Sequence, residues 1–289
     1  MILDVSIIIV NWNTREFLKK CLESIYDHTS GFEFETIVID NNSQDDSVAM
    51  IKTEFPTVIL IQNKKNLGYP AAVNQGINIA RGSYILLMNS DVLILDNAIG
   101  VLLNYARQKP DAAAVGCRIL NPDSSLQQSC LMYPSILNLL LWGTLLHRLF
   151  PRNKFFGRED MTWWGADDDR PVEVIKGCFM LIDKNAIQTV GPMDQNFFMY
   201  AEETDWCCRC KKAGYQILFT PNAQIIHYGA QSTKFAPLKM KLKLRFSTLR
   251  FIKKHKGLLQ YSVAALLTVG FILIRLPFWL ISARASSKK

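Results

Sequence analysis

The first ninety residues switch between two hydrophobic periods, and that alternation leaves few folds open. "VSIIIVNW" (5–12) is a near-continuous β-branched run, as expected of a strand covered on both faces. "TREFLKKCLESIYDHT" (14–29) follows with apolar residues at 17, 18, 21, 22, 25 and 26, a helical stripe with Thr14 placed to cap it. "FETIVIDNNS" then reads as a second strand. "SQDDSVAMIKTEF" reads as a second helix, with Ser43 as its cap and Pro56 beyond its end. "TVILIQN" is a third strand, "GYPAAVNQGINIARG" a helix closed by Gly82, and "SYILLMNSD" a fourth strand. Three strand–helix units in 82 residues predict a doubly wound α/β domain with a mostly parallel sheet flanked by helices.

In such sheets ligands bind outside the carboxyl ends of the strands. Those ends are followed here by Asn11 and Asn13, by Asp40 to Ser43, by Asn63 to Gly68, and by Asn89 to Asp91. Any one Asn/Asp-rich loop has a local explanation, since these side chains favour turns. Four in register at one edge point to a polar site. No GxGxxG follows the first strand and no GxxxxGK[ST] occurs anywhere, which argues against a dinucleotide fold or a P-loop.

The second half is less regular. "ILNLLLWGTLLHRLF" (136–150) is apolar, "FFGREDMTWWGADDDRP" is aromatic and charged, and "VEVIKGCFMLIDKNAI" reads as a strand into a helix. In "FFMYAEETDWCCRCKKAGYQILFTPNAQIIHYG" three acids open a helix that Gly214 stops, and a histidine follows a later apolar run.

Charge divides the chain sharply. Its formal net charge is +8, yet residues 1–205 hold 17 Lys and Arg against 25 Asp and Glu, while residues 206–289 hold 16 against none. A basic tail suits nucleic acid or an anionic membrane surface. Residues 258–274, "LLQYSVAALLTVGFILI", carry no charge and reach the lower limit for a bilayer-spanning helix, behind the basic "KMKLKLRFSTLRFIKKHKG". No aromatic stacking face accompanies these cations, so nucleic acid is not expected and a membrane surface is. Arg275 and Pro277 interrupt the apolar stretch, leaving open a span, a helix lying in the interface and a buried core helix. "MILDVSIIIV" carries Asp4 and is too short for a secretory signal, so the globular body is expected on the cytoplasmic face of the inner membrane. Seven scattered cysteines agree with a reducing compartment, and "CCRC" reads as packing cysteines in a helix rather than a zinc site.

Transfer of a group from a diphosphate-bearing donor needs a cation on the diphosphate and a base for the acceptor hydroxyl. Asp91 with His227, and a carboxylate of "EETD", can meet those needs. "VSIIIVNWNT", "IVIDNNSQDDS", "NKKNLGYPAAVNQGI", "YILLMNSDV", "VIKGCFMLI" and "FFMYAEETDWCCRCKKAGY", in that order and spacing, resemble the family 2 glycosyltransferases, most closely a bacterial rhamnosyltransferase-like branch. The resemblance spans roughly residues 4 to 235. It implies an inverting transferase of GT-A fold using a nucleotide-activated sugar with Mg²⁺ or Mn²⁺. It also implies a catalytic domain over 1–235, with a nucleotide half to about 120 and an acceptor half over 121–235; the charge and hydropathy of 236–289 make that stretch the expected membrane-associated segment.

Residue roles follow from the same resemblance. Asp40 matches the acid that hydrogen-bonds the base, and the backbone around Val10 and Asn11 forms the base pocket. Asn66 and Gly68 match the loop beside the nucleotide, with Asn74 in the same motif. "NSD" stands where the family has DxD, so Asp91 is the expected metal ligand and Asn89 replaces the first acid. Glu203 aligns with the general base, with Glu202 as its rival for the acceptor hydroxyl. Asp205 steadies the helix start or orients the site, and His227 completes the metal site. The implied reaction moves a sugar, rhamnose from dTDP-rhamnose first and UDP-hexoses next, onto a polyprenyl-linked or cell-surface saccharide. A catalytically inactive nucleotide-binding or scaffolding protein is the competing expectation, for which Asn89 and Glu203 would be the evidence.

Overall fold

The computed structural model describes residues 3–229 and 237–286, so the expected boundary at 235 and the terminal Lys288 and Lys289 lie outside the described residues. The chain runs β1 (Val5–Asn11), α1 (Arg15–His28), β2 (Phe34–Asp40), α2 (Ser47–Glu54), β3 (Ile59–Gln62), α3 (Tyr69–Ile79), β4 (Tyr84–Asn89), β5 (Val92–Ile94), α4 (Ala98–Arg107) and β6 (Ala112–Leu120). It continues through β7 (Leu126–Gln127), β8 (Cys130–Leu131), α5 (Ile136–Gly143), α6 (Leu146–Leu149), β9 (Arg170–Pro171), β10 (Val174–Ile175), β11 (Phe179–Asp183) and α7 (Lys184–Val190). α8 (Glu202–Lys212), β12 (Gln216–His227), α9 (Pro237–Lys256) and α10 (Leu258–Ser286) complete it.

The alternating first third folds as its pattern predicts. β1, β2, β3 and β4 are parallel, in the order β3-β2-β1-β4, and every residue from Ile85 to Met88 is buried, as in a strand covered on both faces. The register sets Asn11 opposite Asp40 and Val10 opposite Asn89, which brings three of the polar loops to one edge. Beyond β4 the sheet continues β11-β6-β12-β5, with β11 antiparallel to both β4 and β6. The expected nucleotide and acceptor halves thus interleave in one sheet.

Three local expectations are corrected. α2 starts at Ser47 behind Asp46, because the Ser43 hydroxyl instead accepts from the Asn13 amide and the Asn11 side chain. α3 ends at Ile79, three residues before Gly82, whose hydrogen lies where a Cβ would meet the β1 backbone at Ser6. Thr14 holds the N-cap position of α1, but its hydroxyl is spent on Asn11 and Ser90 rather than on the helix.

The basic tail forms two helices. α9 closes a small core of Leu139, Phe197, Cys208, Leu249, Phe251 and Ile252 against α5 and α8, and α10 packs on α5 and α9. α10 runs unbroken past Pro277, and only 11% of its apolar window Leu258–Arg275 is buried. That exposure overturns the buried-core-helix alternative. All seven cysteines are free and buried.

Candidate functional site

A chain of hydrogen bonds builds the sheet edge. The Asn11 side-chain amide donates to Asp40 Oδ1 at 2.9 Å, and the Ser43 backbone N–H donates to Asp40 Oδ2 at 2.9 Å. Asp40 is thereby buried with both oxygens engaged, and it orders the turn that follows β2. Thr14 donates its one hydroxyl proton to Asn11 Oδ1 at 2.7 Å, so Ser90 must donate to Thr14 in their 2.7 Å contact. The network therefore runs from Asp40 to the Ser90–Asp91 turn between β4 and β5.

The next loop is tied into the same edge. Asn41 bridges the Asn63 amide, the Leu67 N–H and the Gly68 carbonyl, and Asn66 accepts from the Gly68 N–H at 2.9 Å. Gly68 has φ +85°, and a Cβ there would lie 2.6 Å from the Phe198 carbonyl oxygen. The 194–200 segment therefore lies directly against this loop, where Tyr69 N–H donates to Phe198 O. Asn74 instead makes a reciprocal buried pair with the Met193 backbone, so it fastens α3 to that segment and faces no open site.

At the far side of β4, Asp91 Oδ1 stands 3.3 Å from His227 Nε2, and Asn89 Nδ2 lies 3.3 Å from the same nitrogen. Pairing of β12 with β5, which sets His227 opposite Val92, makes this meeting possible. Gln127 donates its amide to Asn121 Oδ1 and to His227 O, which leaves its Oε1 to accept from His227 Nδ1 at 2.6 Å. That bond aims Nε2 at Asp91, as partners behind a metal-binding imidazole commonly do. Burial disfavours the charged ring, but the Cys178 sulfur and the Asp91 carboxylate outweigh it and push the His227 pKa up to about 10. One carboxylate oxygen and one imidazole nitrogen facing each other are a donor set that could hold a divalent cation.

α8 supplies the acids. Tyr200 and Ala201, immediately before it, have φ of +70° and +63°, a left-handed pair that non-glycine residues seldom adopt, which turns the chain abruptly into Glu202 and Glu203. Both glutamates line one cavity of about 550 Å³ with Tyr69, Asn89, Lys176 and His227. Glu202 is buried, and its Oε2 has no partner among the described residues. Burial and then the Glu203 charge hold the Glu202 pKa well above the usual carboxylate range. Burial also raises Glu203, opposed by backbone N–H donors and by Lys176. Glu202 is the more deeply buried of the two and Lys176 lies near Glu203, an arrangement that suits Glu203 as a base beside a neutral Glu202.

Asp205 belongs to the same helix but does not line the cavity beside the two glutamates: it is 0% exposed and accepts from Arg209 Nε at 2.8 Å, His255 Nε2 at 2.7 Å and Lys254 Nζ at 2.7 Å. Its charge clamps α9 to α8. The structure thus brings together Asn89, Asp91, His227, Glu202 and Glu203, sets Val10, Asn11, Asp40, Asn66 and Gly68 along the adjoining edge, and places Asp205 behind them. Gln127, Cys178 and Lys176 were not identified from sequence. Gln127 lies on a two-residue strand without a period of its own, and Lys176 and Cys178 lie in the "VIKGCFMLI" block, whose apolar pattern marks a strand and not their place in the site.

The protein-family model of "Glycosyl transferase family 2" matches residues 6–161. The chain is 29% identical over 236 residues, 76% of its length and 75% of the relative's, to an N-acetylglucosaminyl-diphospho-decaprenol L-rhamnosyltransferase of Mycobacterium tuberculosis. It is 23% identical over 234 residues, 78% of its length and 83% of the relative's, to Rhamnosyltransferase WbbL of Escherichia coli. Among solved structures, the mannosyltransferase PcManGT from Pyrobaculum calidifontis in complex with GDP-Man and Mn²⁺ shares the fold with a TM-score of 0.61 at 13% identity, covering 99% of this chain and 80% of that one.

Proposed function

The chain belongs to glycosyltransferase family 2, and on that premise we propose that it moves a sugar, rhamnose from dTDP-rhamnose first among candidates, onto a hydroxyl of a polyprenyl-diphosphate-linked saccharide at the cytoplasmic face of the membrane. The observation that carries the reading is that buried Glu202 and half-buried Glu203 share one cavity with His227 and Asn89.

Val10, Asn11, Asp40, Asn66 and Gly68 receive the nucleotide at the sheet edge. Asp91 and His227 would hold Mn²⁺ or Mg²⁺, and such a cation would supply positive charge to offset that of the diphosphate leaving group. Glu203, ionised beside Lys176, takes the acceptor hydroxyl proton, and that oxygen attacks the anomeric carbon from the face opposite the leaving group. Glu202 stays protonated and donates a hydrogen bond rather than adding a second negative charge beside the base. Positioning and charge stabilisation supply most of the rate. The exposed apolar face of α10 and the basic α9 support a membrane-bound acceptor.

The test is nucleoside diphosphate release from a panel of dTDP- and UDP-sugars with a lipid-linked saccharide acceptor. Release from dTDP-rhamnose alone is expected. Release that survives Glu203→Gln unchanged would overturn the assignment of the base, and binding of nucleotide without any release would favour the scaffolding alternative.

A further inference from the structure

Beside the catalytic cavity lies a second, of about 600 Å³, enclosed by α5, α6, α9 and α10. Trp142, Arg148, Leu244 and Arg245 contribute to the walls of both. Among the described residues, the charged groups of this second cavity are all cationic, and no carboxylate lines it. The guanidinium carbons of Arg245 and Arg275 sit 3.6 and 4.0 Å from the centre of the Trp142 ring. Arg275 also donates to the carbonyls of Trp142 and Gly143 at 2.8 and 3.0 Å. Gly143 allows that approach, because a Cβ there would fall on the ring of Phe271, one turn before Arg275 on α10.

Three arginines from three helices thus converge where their mutual repulsion works against the fold. Glu159 and Asp160 offset part of the Arg245 charge, but from the side of the catalytic cavity. On the other side nothing described offsets Arg148 and Arg275. Beyond them α10 presents Leu266, Leu273 and Ile274, each at least 66% exposed. From the glutamates outward the order is carboxylate base, cation-lined cavity, apolar helix. A lipid-linked acceptor has the matching order of sugar, diphosphate and hydrocarbon chain.

We propose that the cavity between α5, α9 and α10 binds the diphosphate of the acceptor, with Arg148, Arg245 and Arg275 as its donors and Trp142 as the plate that holds two of them in place. The inference rests on the lipid-linked-acceptor reading and adds the site that recognises the linkage. Guanidinium forks match phosphate oxygens bidentately, which an ammonium group cannot do. Stacking on Trp142 fixes two of the forks before the ligand arrives, so less freedom is lost on binding. Two adjacent phosphates give three guanidiniums enough oxygens to share, whereas a phospholipid headgroup offers one phosphate.

The test is flotation of the full chain with phosphatidylcholine vesicles doped with a polyprenyl diphosphate, against vesicles carrying phosphatidylglycerol at equal charge. The wild type should favour the diphosphate vesicles at least tenfold, and Arg148→Gln with Arg275→Gln should erase the preference. Arg148 is solvent-exposed, so Arg148→Gln alone guards against misfolding of the double variant and should cost at least threefold. Equal binding of the wild type to both vesicles, or a preference that survives the double variant, would overturn the proposal. Sugar transfer to a phosphate-free saccharide, measured on the same preparations, separates the two readings. Absence of transfer by the wild type to every acceptor refutes the transferase reading, while the vesicle preference still decides the diphosphate site.

Discussion

Replacing Asp205 separates anchoring from catalysis, since it lies on the same helix as Glu202 and Glu203 but faces α9. The wild-type carboxylate is fully buried and accepts from three cationic or imidazole partners. Breaking a buried charge cluster by removing one member costs about 3–5 kcal/mol when the remaining charges stay buried. Here Lys254 and Arg209 side chains keep 35% and 20% of their surface exposed and can recover water, so Asp205→Ala belongs at the lower end, about 3 kcal/mol. At roughly 2–4 °C per kcal/mol for a chain of this size, the midpoint of thermal unfolding should fall by roughly 6–12 °C. The assay is thermal unfolding in detergent, followed by kcat at a temperature well below the lowered midpoint. Transfer by the folded variant should stay within about tenfold of wild type, because a helix-positioning group acts on geometry and not on the reacting atoms. An unchanged midpoint would refute the clamp. A fall in kcat of about 10² or more in fully folded protein would return Asp205 to the chemistry.

The clamp also has a pH signature. Burial opposes ionisation of Asp205, but Lys254, His255 and Arg209 outweigh it and hold its pKa below the usual range. Burial is the first cause that lowers His255, whose neutral ring donates Nε2–H to Asp205 and accepts from Lys212 at Nδ1. Both shifts make the unfolded chain the stronger proton binder, so stability rises with pH. The His255 contribution should fade as pH drops through about 6.5 and that of Asp205 below about 4, which a series of unfolding midpoints from pH 8 to about 2 would record.

Other outcomes follow from the site. Glu203→Gln should lower kcat by about 10²–10⁴ without lowering the unfolding midpoint. Glu202→Gln should keep most activity and raise stability at neutral pH, since the raised pKa means that burial of this carboxyl costs stability above pH 4.3 or so; a loss equal to that of Glu203→Gln would reverse their roles. Asp91→Asn should raise the Mn²⁺ concentration needed for half-maximal transfer by about tenfold or more, measured by metal titration after EDTA treatment; an unchanged requirement would move the cation elsewhere. Leu259→Glu with Leu266→Glu, at sites 81% and 75% exposed, should release the chain from membranes without shifting its unfolding midpoint, and persistence in the pelleted fraction would refute attachment through α10.

The parallel half was legible because its strands are buried on both faces and its helices carry one stripe, so residues 5–89 announce each element locally. Asp91, Asn89 and His227 could be named because ordered motifs carried them. Their neighbours could not: Gln127 and His227 are 100 residues apart and meet only because β7 and β12 both pair with β6. Ser43 looked like a helix cap because serine before an apolar stripe usually is one, and the Asn11–Asp40 network claimed it instead. Asp205 shared the "EETD" cluster with the two glutamates that line the cavity. Its direction depends on helical phase and on a partner fifty residues later, neither of which the cluster displays.

Helix α8 gives the active site a fixed height. Glu203 and Asp205 are two residues apart, about 3 Å along the helix axis. The proposed base and the bolt that holds the tail are therefore almost the same point on a rigid rod. On the reading proposed, the chain works as a depth gauge resting on the lipid, with no hinge between foot and blade. A hydroxyl is selected by its distance from the bilayer as well as by its chemistry, which favours the first sugars of a growing lipid-linked chain over any that follow.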